Sequence, residues 1–153
     1  MAAGFSIRRD RLDDFAAFLT RRIELTGEAV ATERAIHADA VLSAAAATPL
    51  LLDGIERAGP FGAGNPEPIF LMPDMLVVYA AIVGGSHVRL RAVARDGQGI
   101  GAIAFRAVGT ELGTALLNSR GRRIHLAGKL RRDDYEGVVK VQFQIADAAA
   151  AEA

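Results

Sequence analysis

Basic side chains are concentrated in one stretch of an otherwise neutral chain. The 153 residues carry no formal net charge, yet residues 86–132 contain ten Lys or Arg against two acids, a local charge of +8. Residues 1–60 hold seven basic and nine acidic side chains. Because guanidinium groups bind phosphates with paired hydrogen bonds, the second half of the chain is the half expected to seek phosphates.

A single-stranded polynucleotide is the partner that this pattern favours. Single strands are held by cationic grooves, and aromatic rings stack on their bases for about 1–3 kcal/mol each. The predicted contacts are cations of the later strands plus one ring: Arg89, Arg91, Arg106, Arg123, Lys129, Arg131, Arg132, Tyr135 and Lys140. Two alternatives stay open: the cations could be ordinary solvated residues, and Tyr135 an ordinary hairpin-tip tyrosine.

Other chemistry finds less support in the sequence. Phe105 could stack on a base, but its apolar neighbours favour core packing. The chain has three His and no Cys, and none of the His has companions at metal-ligand spacing. Two-metal phosphodiester cleavage needs clustered carboxylates and imidazoles around ions roughly 3.5–4 Å apart. We therefore expect no catalytic residue, metal or cofactor in this chain.

The composition also indicates the cellular compartment. Without Cys there is no disulfide framework, which suits a reducing cytoplasm. No apolar run reaches the roughly 18 residues of a membrane span, and no secretory signal opens the chain. We expect a cytoplasmic protein with no membrane contact.

Two helices are predicted before residue 60. Asp10 can cap the first, which ends near Gly27 and has an apolar stripe of Leu12, Phe15, Leu19 and Ile23. This stripe needs a partner, and a homodimer through it is one prediction. After an extended piece over 36–42, Thr48 and Pro49 open the second helix, whose apolar face includes Leu51, Leu52 and Ile55.

From residue 69 the pattern changes to short alternating strands. The five predicted strands and one helix occupy 75–83, 87–95, 100–106, 109–118 (the helix), 123–130 and 138–145. Three strands, a helix and two strands is the order of an OB-fold, a five-stranded barrel whose face and loops bind single strands. The predicted class is therefore mainly β with N-terminal helices, although other small barrels have similar strand counts.

The connector between the two patterns carries a family resemblance. Its sequence, Pro60-Phe61-Gly62-Ala63-Gly64-Asn65-Pro66-Glu67-Pro68-Ile69-Phe70, resembles the PFGxGNPEPxF segment that precedes the barrel in RecJ-family single-stranded-DNA exonucleases. The segments 37–40, 55–58 and 102–105 are similar to the same family, and Met1-Ala2-Ala3-Gly4-Phe5 resembles the end of the GGHxxAAGF motif of its DHHA1 domain.

The resemblance implies a division of the chain and a parent enzyme. Residues 1–34 would be the end of a DHHA1-like domain, 35–68 a helical connector, 69–148 the OB barrel and 149–153 a disordered tail. The implied parent degrades single-stranded DNA from the 5′ end in repair and recombination, with Mn²⁺ or Mg²⁺ held in a DHH domain that is not in this sequence. We thus expect a C-terminal DNA-binding module; the alternative is a protein-interaction or scaffolding barrel of the same parent.

Overall fold

A computed structural model describes residues 4, 6–30, 35–133 and 140–151 of the chain. The chain divides into two compact units, Met1–Ala35 and Ile36–Ala153. Within the described ranges, no helix has both the length and the apolar character that crossing a membrane requires.

The first unit contains one long helix, α1 (Leu12–Val30), after a 3-10 turn. The predicted cap is wrong: Asp10 lies inside the 3-10 turn, and its carboxylate accepts a hydrogen bond from the Arg8 guanidinium (2.7 Å). The helix also continues three residues beyond its predicted end. Most of its apolar stripe is exposed, including Ile23, at 67%.

The second unit is a closed β-barrel with two short helices. Its elements are β1 (Ala40–Val41), α2 (Pro49–Arg57), β2 (Phe70–Val83), β3 (His87–Val93), β4 (Gly99–Ala104), α3 (Glu111–Leu117), β5 (Arg123–Asp133) and β6 (Lys140–Ala150). The order around the barrel is β2-β3-β4-β6-β5, and β5 pairs again with β2. Only β4 and β6 are parallel among these five. This confirms the predicted OB-fold.

The barrel forms because its strands alternate apolar and polar residues. On β3, Val88, Leu90 and Ala92 face inward and are at most 1% exposed, while Arg89 and Arg91 between them are exposed. The inward residues of all five strands form one hydrophobic core. Strand alternation therefore commits the intervening side chains of β3 to the outer surface.

Several predicted boundaries require correction. β2 begins at Phe70, five residues before its predicted start, because this segment pairs with β5. β3 and β4 each end two residues earlier than predicted. β6 runs to Ala150, so the tail predicted to be disordered from residue 149 continues the ladder with β5, where Ala150 pairs with Ile124. The predicted start of the last strand, Val138, lies outside the described residues.

The connector is held in a defined conformation by side chains as well as backbone. As predicted, Thr48 caps α2 and Pro49 is its first residue. The Asn65 amide donates to the carbonyl oxygens of Ala58 and Pro60, both at 3.2 Å. These bonds close the loop between α2 and the barrel.

Candidate nucleic-acid interface

The outer face of β3 presents two arginines next to a tyrosine. Tyr79 lies directly opposite Arg91 in the β2–β3 ladder, and Ala81 lies opposite Arg89. Tyr79 is 47% exposed, and both arginines are exposed. In the part of the chain that the structure describes, no carboxylate forms an ion pair with either arginine. Among the described residues, no ion pair neutralises either guanidinium group, which is the arrangement that an anion requires.

A groove opens beside these residues because β4 contributes a glycine to its floor. Gly101 pairs with Arg91 on one side and with Gln142 on the other. Apart from Gly101 and its two chain neighbours, no heavy atom of the described residues lies within 4 Å of the position that a Cβ would occupy at Gly101. The resulting groove has a volume of about 290 Å³, and its lining residues are Tyr79, Arg89, Leu90, Arg91, Gly101, Asp133, Lys140 and Gln142. It combines an exposed ring with three cations and one carboxylate, that of Asp133, along its wall.

Tyr79 was missing from the residues predicted for the site, and a β-bulge explains why. Strict alternation from the buried residues Met75 and Val77 would turn Tyr79 into the core. The β2–β3 register instead shifts between Val77 and Tyr79, so that the extra residue, Val78, moves Tyr79 to the outer face. No pattern in the sequence marks this bulge.

Two further predicted contacts lie on the barrel surface. Lys140 is exposed at the start of β6 and lines the groove. Arg106 is exposed just after β4, in the left-handed region with φ 52°. Its backbone N–H donates to His87 Nδ1 at 2.8 Å. Arg89, Arg91 and Arg106 lie on the outer surface formed by β3, β4 and the residues just after β4, called here the β3–β4 face, and Lys140 lies beside it on β6.

Glu67 of the connector engages two other predicted contacts. Its carboxylate lies 3.2 Å from the Lys129 ammonium and accepts two hydrogen bonds from the Arg131 guanidinium, one of 2.6 Å. The Glu67 side chain is only 16% exposed. Hydrogen bonding from Arg131, helped by Lys129, lowers the pKa of Glu67 although burial acts in the opposite direction. These cations therefore fasten the connector to β5.

The remaining two predicted cations are also paired. Arg132 lies 2.7 Å from Asp53 and 2.9 Å from Glu56, both on α2. Arg123 lies 3.4 Å from the Asp74 carboxylate and donates to the Asp74 carbonyl oxygen at 2.6 Å. Local charge density could not reveal these pairs because the partners come from distant parts of the chain.

The two aromatic predictions have different outcomes. Tyr135 lies outside the described residues. Phe105 was expected in the core, and this is wrong: it is 51% exposed and makes a T-shaped contact with His87 at 5.1 Å between ring centroids. Ala102, Ile103 and Ala104 are all buried, so alternation along β4 does not by itself place Phe105 outside.

Metal-ligating side chains do not come together in the described ranges. There, no group of three or more His, Asp or Glu is close enough to hold an ion, and the chain has no Cys. Those described residues do not fit a two-metal centre of the kind that cleaves phosphodiesters.

Comparison with known proteins gives a matching family model and similar crystal structures. A family model of the RecJ OB domain matches residues 38–147. Crystal structures of RecJ from Thermus thermophilus, in complex with Mn²⁺ and with Mg²⁺, match with TM-scores of 0.67 and 0.65 at 23% and 22% identity. Each match covers 98% of this chain but only 21% or 22% of the RecJ chain. The chain thus spans about a fifth of those structures, and at this identity the likeness concerns the fold. No curated protein matches.

Proposed function

The chain belongs to the RecJ OB domain family, and from this membership we propose that it binds single-stranded DNA in the groove between Tyr79 and Lys140. The observation that carries the proposal is the placement of Tyr79 directly opposite Arg91, beside the open floor at Gly101. A base stacks on the ring while the guanidinium binds the adjoining phosphate. Arg89 and Lys140 extend the phosphate path along the same groove.

The groove favours strands without base specificity. Stacking tolerates every base, and phosphate contacts carry no sequence information. A duplex keeps its bases stacked on each other and offers none to Tyr79. We therefore propose a binding preference for single strands over duplexes, with little dependence on sequence.

In the parent protein this module serves a nuclease that it does not itself contain. We propose that the chain is the C-terminal part of a RecJ-like 5′–3′ exonuclease of DNA repair and recombination, and that it guides the strand toward a separate catalytic domain. The metal ions of that reaction would be held there. Tyr135 is kept as a proposed additional stacking residue.

Salt dependence tests the electrostatic part of this proposal. If three or four phosphates are bound by Arg89, Arg91, Arg106 and Lys140, log affinity should fall with log salt with a slope of about −2 to −3, at about 0.7 per contact. The measurement is a fluorescence titration of labelled oligo-dT between low and moderate salt. A flat response would contradict phosphate binding.

A pair of charge-matched variants tests the location. Arg89→Ala with Arg91→Ala should weaken oligo-dT binding at least tenfold with little change in melting temperature, because both side chains are exposed. Arg120→Ala with Arg122→Ala is the control, since it removes the same charge from exposed residues of the same basic segment, and Arg122 lines a different cavity. Equal losses in both variants would rule out the groove as the site.

The scaffolding alternative has its own outcome. A gel-shift assay with a 30-mer single strand and the matching duplex separates the two: a shift of the single strand alone supports the proposal. No shift with either would favour a barrel that binds protein.

A further inference from the structure

We propose that Phe105 is a second base-stacking platform, at the opposite end of the β3–β4 face from Tyr79. This inference rests on the proposed single-strand binding and adds a second site to it. The site would take a nucleobase, with the neighbouring Arg106 binding the phosphate attached to it.

Exposure of the ring is the first support. Phe105 is 51% exposed on an outer surface. Exposure of an apolar ring to water is unfavourable, and a base stacked on the ring would remove it. The ring makes a T-shaped contact with His87, with 73° between the ring planes, and this contact favours its outward orientation. A ring held open in this way needs little reordering to accept a base.

The backbone holds the same segment in place. Arg106 has φ 52°, which is uncommon for a residue with a side chain. Its N–H donates to His87 Nδ1 at 2.8 Å, so His87 contacts both the ring of Phe105 and the backbone of Arg106. Strained backbone of this kind clusters at binding sites. The segment thus presents a ring and an exposed guanidinium next to each other.

Tyr79 and Phe105 both lie beside the outer face of β3, so one bound strand would contact both rings. Arg91, Arg89 and His87 share the outer face of β3; Tyr79 lies opposite the first, and Phe105 contacts the last. The four steps along the strand from Arg91 to His87 span about 13 Å at roughly 3.3 Å per residue. This length corresponds to about four stacked nucleotides at about 3.4 Å each, and to fewer in an extended strand. Arg89 lies between the two platforms, where the connecting phosphates would pass.

A fluorescence experiment tests contact with the base directly. The chain has no Trp, so Phe105→Trp places a single reporter in the proposed site. Stacking should quench its emission on titration with dT12 and much less with dT2, which is too short to reach from Tyr79. Phe18→Trp is the matched control, because Phe18 is 57% exposed but lies on α1 in the other unit. Quenching in the Phe105 variant alone supports the proposal; equal quenching in both, or none in either while dT12 binds, overturns it.

Affinity measurements separate this inference from the function on which it rests. Phe105→Leu keeps an apolar side chain but removes the ring, and it should weaken dT12 binding about 5- to 150-fold, the equivalent of one lost stacking contact. Its affinity for dT2 should be nearly unchanged. If the wild type binds dT12 and the Phe105→Leu variant binds it equally tightly, the second platform is overturned while the proposed groove stands. If the wild type does not bind dT12 at all, both proposals fail.

Discussion

Glu67 and Arg131 are 64 residues apart in sequence, yet they form a two-bond ion pair that fixes the connector to β5. Basic residues of the barrel therefore have two different roles. Lys129 and Arg131 hold the connector in place. Arg89 and Arg91, on β3, line the groove.

Loss of the Glu67 carboxylate should destabilise the fold in a pH-dependent way. Its pKa is lowered in the folded protein, so the stabilisation is fully present above the ordinary value of 4.5 and is lost as pH falls through the lower folded value. We expect Glu67→Gln to lower the free energy of unfolding by about 1–2 kcal/mol at pH 7, and the difference from wild type to shrink as the pH falls below 4.5.

Urea unfolding across this pH range measures the effect. A double-mutant cycle with Arg131→Gln isolates the pair, because each single variant then removes the same interaction. Two outcomes would contradict the assigned role of Glu67. One is that the effects of the two substitutions are additive; the other is that the difference in free energy of unfolding between Glu67→Gln and wild type stays constant down to acid pH.

Removal of the Tyr79 ring should weaken binding without weakening the fold. Tyr79→Leu should cost about 1–3 kcal/mol in oligo-dT affinity, the value of a stacked base. Since Tyr79 is half exposed, the melting temperature should change little. Tyr79→Phe keeps the ring and serves as the control; a Leu variant that binds as tightly as this control would exclude stacking at Tyr79.

Filling the groove floor should block it. Gly101 has open space above it and no positive φ, so Gly101→Val should fold normally while its side chain occupies the groove between Arg91 and Gln142. We expect oligo-dT affinity to fall at least about fivefold, or ~1 kcal/mol. The smaller Gly101→Ala should lose less. Binding that is indifferent to both substitutions would place the strand elsewhere.

Gly128, a glycine in β5, should not tolerate a side chain, in contrast to Gly101. A Cβ at Gly128 would lie 2.1 Å from the carbonyl oxygen of Gln144, on the neighbouring strand β6. Because that atom belongs to the backbone, β5 and β6 would have to separate. We expect Gly128→Ala to destabilise the protein by about 2–4 kcal/mol in thermal or urea unfolding, whereas Gly101→Ala stays within about 1 kcal/mol of wild type. Similar stabilities for the two alanine variants would contradict the close packing at Gly128.

Sequence patterns alone were enough to predict the barrel and the positions of most of its strands. Alternation along β3, β5 and β6 predicts which of their side chains are buried, and the helix between β4 and β5 favours the OB order over other small barrels. The connector from Pro60 to Phe70 carried the family resemblance. The density of Arg and Lys marked the half of the chain where a cationic surface would lie.

Which of those residues face an open groove depends on contacts that form when the barrel folds. The carboxylates that pair with four of the predicted cations lie 49 to 79 positions away in sequence, and no local pattern encodes such pairs. Tyr79 reached the surface because one extra residue in β2 reversed the alternation. A side chain's face depends on strand register, and its free charge depends on which partners folding brings near, so both became visible only when the barrel closed.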